Sequence, residues 1–292
     1  MQGDLTQMLG PVLNFVVRPS RVDNYTDFEL VFKSETINGK PCLREDIDIK
    51  NPKDLKMKSS FYYINDSIPR PTVIYLHGNG SFRGEGASHA KQLLSNGFNL
   101  LVFDYIGCGK SDGTFITLGA NEQYDIQPLI DYLKGTKRVT KIFLYGRSMG
   151  AATALLYVSG KPDPIVAGVI ADSPFAYFSE LFKDIASSLG IPEGFEQIIY
   201  PSAVSAIQEK YGFDLKELNP IKGVEKVKLP ALFIHALNDG LVLAKHSKMI
   251  SDVYGGEKEL LNFASSSPDA HNSYRPKEVQ SKVLSFLTKH SK

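Results

Sequence analysis

The chain has no tryptophan, only two cysteines among its 292 residues, and almost no excess of charge of either sign. Cys42 and Cys108 lie far apart, so they predict neither a disulfide framework nor the spacing of a zinc site. With 33 basic and 32 acidic side chains, no strong electric field attracts nucleic acid or an anionic membrane. These absences predict a protein of a reducing, cytoplasmic compartment that does not bind nucleic acid.

Long apolar segments are also missing. No run approaches the roughly 20 apolar residues that cross a bilayer, and the first residues lack the basic and apolar regions of a secretion signal. The apolar stretch at residues 11–17 is followed by Arg18 and Arg21. It leaves two interpretations, a segment packed on the protein, which we favour, or a peripheral contact with a membrane surface. No transmembrane segment is predicted.

What the chain does have is the composition of an ordinary globular protein, with 42% hydrophobic and 22% charged residues. Neither a repeat nor a linker divides it, so residues 1–292 are predicted to form one domain. Its sequence does not indicate an oligomeric state.

Apolar runs alternate with helix-like segments along most of the chain, which predicts βαβ crossovers and a mostly parallel central sheet with helices on both faces, an α/β fold. Residues 28–33 and the neighbours of Tyr62 alternate apolar and polar side chains, which predicts antiparallel edge strands. The predicted buried strands are residues 72–76, 98–103, 142–145, 165–170 and 231–234. The predicted helices are residues 88–94, 120–133, 151–158 and 276–289.

The longest connection runs from Asp172 to Pro230 and contains two helix-like stretches, residues 178–189 and 202–208. A structureless loop of that length is improbable, so we expect a helical insertion, or cap, at about residues 175–220. Phe175 and Phe178 are candidate substrate-binding residues within it. The alternative is that these aromatic side chains form the apolar side of a helix packed on the sheet.

A candidate nucleophile stands at Ser148. Gly146 and Gly150 surround it in a Gly-x-Ser-x-Gly motif, between an apolar strand-like run and a helix-like run of small residues. A serine on such a sharp strand-to-helix turn is raised above the edge of the sheet, and the glycines remove β-carbons that would collide there. A serine hydroxyl attacks effectively only when a base removes its proton.

The acid and the base are expected after the serine in the chain, in that order. Asp239 follows the predicted strand at residues 231–234, and His271 lies in a polar loop before the last helix. We assign His271 as the base and Asp239 as the group that orients it. Asp172 also follows a strand, but we interpret it as a buried turn residue.

Backbone donors for a negatively charged oxygen are predicted at two places. Met149 follows the nucleophile, and Asn79 lies in the loop after residues 72–76. Gly78 and Gly80 flank Asn79, so we expect this loop to approach the substrate closely.

Two nucleotide-binding motifs fail on inspection. Residues 107–111 resemble the end of a phosphate-binding loop, but Asp104 occupies the position of its required glycine. The same segment lacks the spacing of a dinucleotide fingerprint. No cofactor and no metal are therefore predicted.

Taken together, these motifs resemble those of the α/β-hydrolase superfamily, and in particular the intracellular hydrolases called serine aminopeptidase-like or acyl-thioesterase-like, including uncharacterised plant and protist members. The resemblance covers nearly the whole chain. The matching stretches are residues 15–19, 73–79, 103–113, 117–119, 144–150 and 231–235.

This resemblance implies a serine hydrolase that acts through an acyl-enzyme on a small-molecule or acylated substrate. We expect esters or thioesters of carboxylic acids, with a serine aminopeptidase or amidase as the alternative and a catalytically silent binding module as a third. Related proteins usually carry Gly-Asp before the histidine, whereas Asp269-Ala270 precedes His271 here. Aminopeptidases of this fold generally carry acidic cap residues that hold the amino group of the substrate. The candidates here are Glu180, Asp184, Glu193 and Glu196, but we favour their interpretation as a solvated helix surface.

Overall fold

A computed structural model describes residues 16, 17, 19–188, 190–267 and 269–292, and these residues contain a nine-stranded sheet. The strands are β1 (Ser34–Ile37), β2 (Lys40–Lys50), β3 (Lys56–Ile64), β4 (Arg70–Leu76), β5 (Asn99–Phe103), β6 (Val139–Arg147), β7 (Val166–Asp172), β8 (Ala231–Ala236) and β9 (Lys258–Phe263). Their order in the sheet is β1-β2-β3-β5-β4-β6-β7-β8-β9.

The sheet is parallel from β5 to β9 and antiparallel at its beginning. The helices are α1 (Gly84–Ala87), α2 (Ala90–Ser95), α3 (Ile126–Gly135), α4 (Met149–Ser159), α5 (Phe178–Ser188), α6 (Phe195–Tyr211), α7 (Lys245–Val253) and α8 (Lys277–His290). The predicted α/β architecture is confirmed, and each predicted buried strand is present.

Two apolar clusters, one on each face of the sheet, explain the continuous apolar runs. Successive side chains of a strand point to opposite faces. In β4, Ile74 and Leu76 belong to one cluster, whereas Val73 and Tyr75 belong to the other. Both faces therefore need apolar residues, and the carboxyl ends of the parallel strands are left to carry polar groups.

The prediction of a strand at residues 28–33 is wrong. This segment contains a turn, in which Phe28 is 88% exposed while Leu30 is buried. The Leu30 carbonyl accepts a hydrogen bond of 2.6 Å from the Tyr62 hydroxyl, so it is tied to β3 without joining the sheet. Apolar and polar residues alternate in this segment, but the alternation does not indicate a strand, because apolar Phe28 is exposed in the turn. The first hairpin begins later and reverses at Asn38 and Gly39, whose φ angles are +50° and +74°, as a tight hairpin turn requires.

The apolar stretch at residues 11–17, for which we considered packing on the protein or contact with a membrane surface, lies mostly outside the described residues. Val16 and Val17 are described, and both are buried in the core. The Val17 carbonyl accepts a hydrogen bond of 3.0 Å from the Ile116 amide. No helix in the described ranges is long and apolar enough to span a bilayer.

The predicted helices are present with different boundaries. Of the predicted residues 88–94, residues 90–94 are helical, in α2, whereas Ser88 and His89 form a turn and α1 lies before this range. Residues 120–133 begin as a short 3-10 helix at Glu122–Asp125 before α3. Helix α6 is much longer than the predicted residues 202–208, because it continues through Pro201. Helix α7 was not predicted.

Helix α5, between β7 and β8, is attached to α7 by charged side chains. Lys245 donates to Glu180 and Asp184 at 2.7 and 2.6 Å, and His246 lies 3.0 Å from Asp184. The His246 Nδ1 atom accepts the Ala176 amide at 3.2 Å. These contacts hold α5 beside the loop that carries Asp239.

Glycine at position 150 is required by the close approach of two chain segments. A β-carbon there would collide with the carbonyl oxygen of Leu76, at the end of β4. We expect Gly150→Ala to lower the free energy of unfolding by at least about 2 kcal/mol, because neither backbone can move away without disturbing the sheet. Urea denaturation measures this loss.

The matched control is Gly135→Ala in α3, where nothing lies within 4 Å of the added carbon. It should leave stability unchanged or raise it by up to about 1 kcal/mol. Equal stability of the two variants would show that the contact between β4 and α4 is not tight.

Candidate active site

Ser148 occupies the turn between β6 and α4 with φ of +52° and ψ of −115°. This backbone conformation is strained for a residue other than glycine, and such strain is typical of functional sites. The Ser148 amide donates to the Asp172 carbonyl at 2.8 Å, which fixes the turn against the end of β7. A β-carbon on Gly146 would collide with the Gly150 carbonyl oxygen, so the turn also requires its first glycine.

Two loops bring a histidine and a carboxylate to this serine. The His271 Nε2 atom lies 3.0 Å from the Ser148 Oγ atom, and its Nδ1 atom lies 2.7 Å from the Asp239 Oδ2 atom. An ionised carboxylate only accepts hydrogen bonds, so these partners assign the proton to Nδ1 and leave the Nε2 lone pair toward the hydroxyl. His271 is 4% exposed and Asp239 is 2% exposed. The structure thus places the three residues in one hydrogen-bonded chain.

The charge of Asp239 is well stabilised despite its burial. Burial by itself raises the pKa of this carboxyl, but hydrogen bonds with His235 and His271 outweigh it and hold the pKa below its usual range. The Asp239 Oδ1 atom also accepts the amides of Leu241 and Val242 at 2.9 and 3.0 Å. Asp239 is therefore ionised and fixed in orientation at neutral pH.

His235 was not expected beside the acid. Its Nε2 atom lies 2.7 Å from the Val242 carbonyl oxygen and 3.5 Å from the Asp239 Oδ2 atom, and its Nδ1 atom lies 2.6 Å from the Ser247 hydroxyl. A carbonyl oxygen only accepts, so the Nε2 atom carries a proton. His235 thus supports the loop of Asp239 from behind. Its position at the end of a strand was the sole signal in the sequence.

The predicted donor segments follow directly after two neighbouring strands. Met149 is the first residue of α4, after β6, and the loop with Gly78, Asn79 and Gly80 follows β4, which pairs with β6. Gly80 has a φ of +69°, a conformation that glycine adopts at little cost. Asn79 is partly exposed and Met149 is buried. The two amides stay predicted donors.

His77 supports this loop from inside the protein. Its Nδ1 atom lies 2.8 Å from the Gly78 carbonyl oxygen, and its Nε2 atom accepts the Tyr105 amide at 3.2 Å. Burial lowers the pKa of His77, so the ring is neutral at neutral pH. Cys108, in the next loop, is also buried, and burial raises the pKa of its thiol, which leaves it in the unreactive protonated form.

The candidate substrate residues of the predicted cap are packed in the core. Phe175 is 2% exposed and Phe178 is 1% exposed. The Phe178 ring centre lies 6.3 Å from those of Phe182, in α5, and Tyr200, in α6. Contact of Phe175 or Phe178 with a substrate stays a prediction.

Asp172 is engaged elsewhere. Its two carboxylate oxygens each lie 2.7 Å from nitrogen atoms of Arg275, and both side chains are buried. Arg275 also donates to the carbonyls of Ala270 and His271 at 3.0 and 3.3 Å. Asp172 thus anchors the loop of His271, and no sequence pattern indicated its partner.

A second buried ion pair, between Arg147 and Glu85, lies beside the serine. Burial by itself raises the pKa of Glu85, but Arg147 outweighs it and lowers the pKa to about 2. A lowered pKa stabilises the folded state above the ordinary value of 4.5, and this contribution is lost as the pH falls toward 2. The stability difference between wild type and Glu85→Gln should therefore shrink as urea denaturation is repeated from pH 5 toward about pH 2.

Glu278, an exposed residue of α8, provides the control for this titration. Glu278→Gln removes an exposed acidic residue from the first turn of α8, so it should lower the free energy of unfolding by less than about 1 kcal/mol. A difference between Glu85→Gln and wild type that stays constant over the range would contradict the assigned ion pair.

No group of three or more histidine, cysteine or acidic residues suited to hold a metal occurs among residues 16, 17, 19–188, 190–267 and 269–292. A hydroxyl, an imidazole and a carboxylate in this order transfer a proton from the hydroxyl to the imidazole, which is the arrangement of nucleophilic acyl transfer.

The chain is similar to known proteins in sequence and in structure. A family described as "Serine aminopeptidase, S33" matches residues 67–193, which is less than half of the chain. The uncharacterized protein YqkD of Bacillus subtilis is 28% identical over 201 residues, which cover 68% of this chain and 65% of that protein. The lysophosphatidylserine lipase ABHD12 of Danio rerio is 28% identical over 202 residues, covering 65% of this chain and 49% of the lipase. The chain thus spans about half to two thirds of these relatives.

A solved structure is similar over almost its full length. The Pyrococcus furiosus esterase Pf2001 has a TM-score of 0.68 and 25% sequence identity, covering 94% of this chain and 99% of that chain. These similarities agree with the mostly parallel sheet of this chain and with the serine on its strand-to-helix turn. The chain is a member of the α/β-hydrolase superfamily.

Proposed function

We propose that this protein is a serine hydrolase that cleaves carboxylic esters or thioesters through an acyl-enzyme, with Ser148 as nucleophile, His271 as base and Asp239 as the orienting acid. The observation that carries the proposal is the chain of two hydrogen bonds, 2.7 and 3.0 Å long, from carboxylate to imidazole to hydroxyl. Esterase Pf2001 and the lipase ABHD12 provide independent support.

In the first half of the reaction, the Ser148 Oγ atom attacks the acyl carbon while its proton passes to the His271 Nε2 atom. The carbon–oxygen or carbon–sulfur bond then breaks, and the imidazolium returns the proton to the departing alkoxide or thiolate. Water next attacks the acyl-enzyme, with His271 again taking the proton. The bond between the acyl carbon and the Ser148 Oγ atom then breaks, the imidazolium of His271 returns the proton to Oγ, and the carboxylic acid leaves.

The negative charge on the tetrahedral intermediates needs fixed donors. We assign this role to the amides of Asn79 and Met149, since both follow strands that end at the edge where Ser148 stands. Asp239 keeps the Nδ1 proton of His271 in place and stabilises the imidazolium. No step requires a metal or an organic cofactor.

Cleavage of amides or of amino-terminal peptide bonds is the second candidate, favoured by the match to the serine aminopeptidase family. An aminopeptidase needs free carboxylates for the amino group of its substrate. Glu180 and Asp184 already bind Lys245, and Glu196 accepts the Gly194 amide at 2.7 Å. These contacts leave fewer carboxylates for an ammonium group, so we rank esters and thioesters first.

We also propose that residues 1–292 form one domain and that residues 175–220 act as its cap. Helices α5 and α6 lie within this range and pack on the core below. We expect the space beneath α5 and α6 to determine which acyl group and which leaving group the natural substrate carries.

A panel of substrates tests the proposed reaction. Purified protein should hydrolyse p-nitrophenyl esters or acyl-CoA with a kcat/KM at least about 100 times that for aminoacyl p-nitroanilides. The reverse order would establish the amidase. Folded wild-type protein that hydrolyses none of them and does not react with a fluorophosphonate would favour a silent binding module.

A further inference from the structure

The guanidinium of Arg147, the residue just before the nucleophile, contacts a carboxylate behind the predicted oxyanion loop. Its Nε and Nη2 atoms lie 2.7 Å from the two oxygens of Glu85. Glu85 also accepts the Tyr75 hydroxyl at 2.8 Å and the Gly78 amide at 3.4 Å. Both partners of the pair are largely buried, with side chains 14% and 16% exposed. The pair therefore fixes the start of the loop that carries Asn79.

The remaining nitrogen of the same guanidinium contacts the histidine loop. The Arg147 Nη1 atom donates to the His271 carbonyl at 3.3 Å and to the Asn272 side-chain oxygen at 2.9 Å. One rigid fork thus reaches three segments that are far apart in the chain. They are the turn at Ser148, the loop at residues 78–80 and the loop at residues 269–272.

The Arg147 side chain also lies against Gly78. A β-carbon on Gly78 would be 3.0 Å from the Nη2 atom, so the glycine provides the space in which the guanidinium passes behind the loop. This close fit makes the position of the Gly78 and Asn79 backbone sensitive to the shape of residue 147.

We propose that Arg147 is a positioning residue for the hydrolysis assigned above, on which this inference rests. Its guanidinium sets the distance between the nucleophile, the oxyanion donors and the base, and it does so through Glu85 and the His271 carbonyl. Lysine cannot replace it, because an ammonium group lacks the planar fork that contacts two carboxylate oxygens and a third acceptor together.

Kinetics of Arg147→Lys and Glu85→Gln on a p-nitrophenyl ester test the proposal. We expect kcat to fall by about 10 to 100-fold in each, with KM within about threefold of wild type. The reason is that the oxyanion donors and the base act mainly in the transition state. Glu85→Gln keeps the shape of its side chain, so it decides the question alone if Arg147→Lys does not fold.

A comparable ion pair at the opposite end of β4 provides the control variants, which distinguish an effect on catalysis from a loss of stability. Arg70 donates to both oxygens of Asp66 at 2.6 Å, and it stands at the first residue of the strand whose last residue is Leu76. Arg70→Lys and Asp66→Asn should lower the thermal midpoint yet keep kcat within about twofold of wild type.

Two results would overturn the proposal while wild type remains an active hydrolase. One is an unchanged kcat in a folded Arg147→Lys or Glu85→Gln protein, whether or not KM changes. The other is an equal loss of kcat in the variants of Arg70 and Asp66. Inert wild-type protein would instead refute the proposed function itself, so the two failures are distinguishable.

Discussion

Replacing Ser148 with alanine is expected to reduce ester hydrolysis by about 10⁴-fold or more, because the acyl group then has no nucleophile at the end of the hydrogen-bonded chain. His271→Ala should cause a loss of the same order, since the hydroxyl would keep its proton. The double variant should lose little more activity than either single variant, because the two groups act as one unit. Steady-state rates on a p-nitrophenyl ester measure these losses.

Ser159 is the matched control for this experiment, since it is a serine at the other end of the same helix. Ser159→Ala should retain nearly full activity. If Ser148→Ala retained a substantial fraction of the wild-type rate in folded protein, Ser148 would not be the nucleophile.

Replacing Asp239 with asparagine is expected to lower kcat by about 10³ to 10⁴-fold. The Asp239 Oδ1 atom accepts two backbone amides, so an asparagine would keep its oxygen there and turn its NH₂ group toward the His271 Nδ1 atom. The imidazole would then carry its proton on Nε2, pointing at Ser148, where it cannot accept another. The protein should fold normally, because the side chain keeps its size and most of its partners.

Asp172→Asn is the matched comparison, since Asp172 also follows a strand of the sheet. It should reduce the free energy of unfolding by about 3 kcal/mol, because it leaves the buried Arg275 guanidinium without its charged partner. Its effect on kcat should be at least 100-fold smaller than that of Asp239→Asn. If Asp172→Asn abolished activity in folded protein while Asp239→Asn did not, the acid would have been assigned wrongly.

The sequence predicted the elements whose pattern is local. The buried strands were recognisable because both of their faces meet apolar clusters. Ser148 was recognisable because glycines flank it in a short motif between a strand and a helix. Gly146 is required by a contact within the turn, and Gly150 by a contact with the end of β4. The assignment of Asp239 and His271 used the chain order of serine, acid and histidine that accompanies this serine motif in α/β-hydrolases. These inferences did not require the distance between any two residues in the folded protein.

The parts that the sequence did not predict depend on contacts between distant segments. Arg147 and Glu85 are 62 positions apart, and Arg275 and Asp172 are 103 apart, so no local pattern pairs them. The turn at residues 28–33 has the alternating residue types of a strand, but Phe28 is apolar and exposed, so the pattern there did not report which residues are buried. Helix α6 was underestimated because Pro201 normally ends a helix, whereas here the helix continues through it.

Ser148 as the nucleophile is tested most directly by the mass of peptides from wild-type protein treated with a fluorophosphonate at pH 7.5. We expect a phosphonyl adduct on the peptide that contains Ser148, assigned to that serine by fragmentation, and no adduct in His271→Ala. Folded wild-type protein without an adduct, or with the adduct on another residue, would show that Ser148 is not the activated nucleophile.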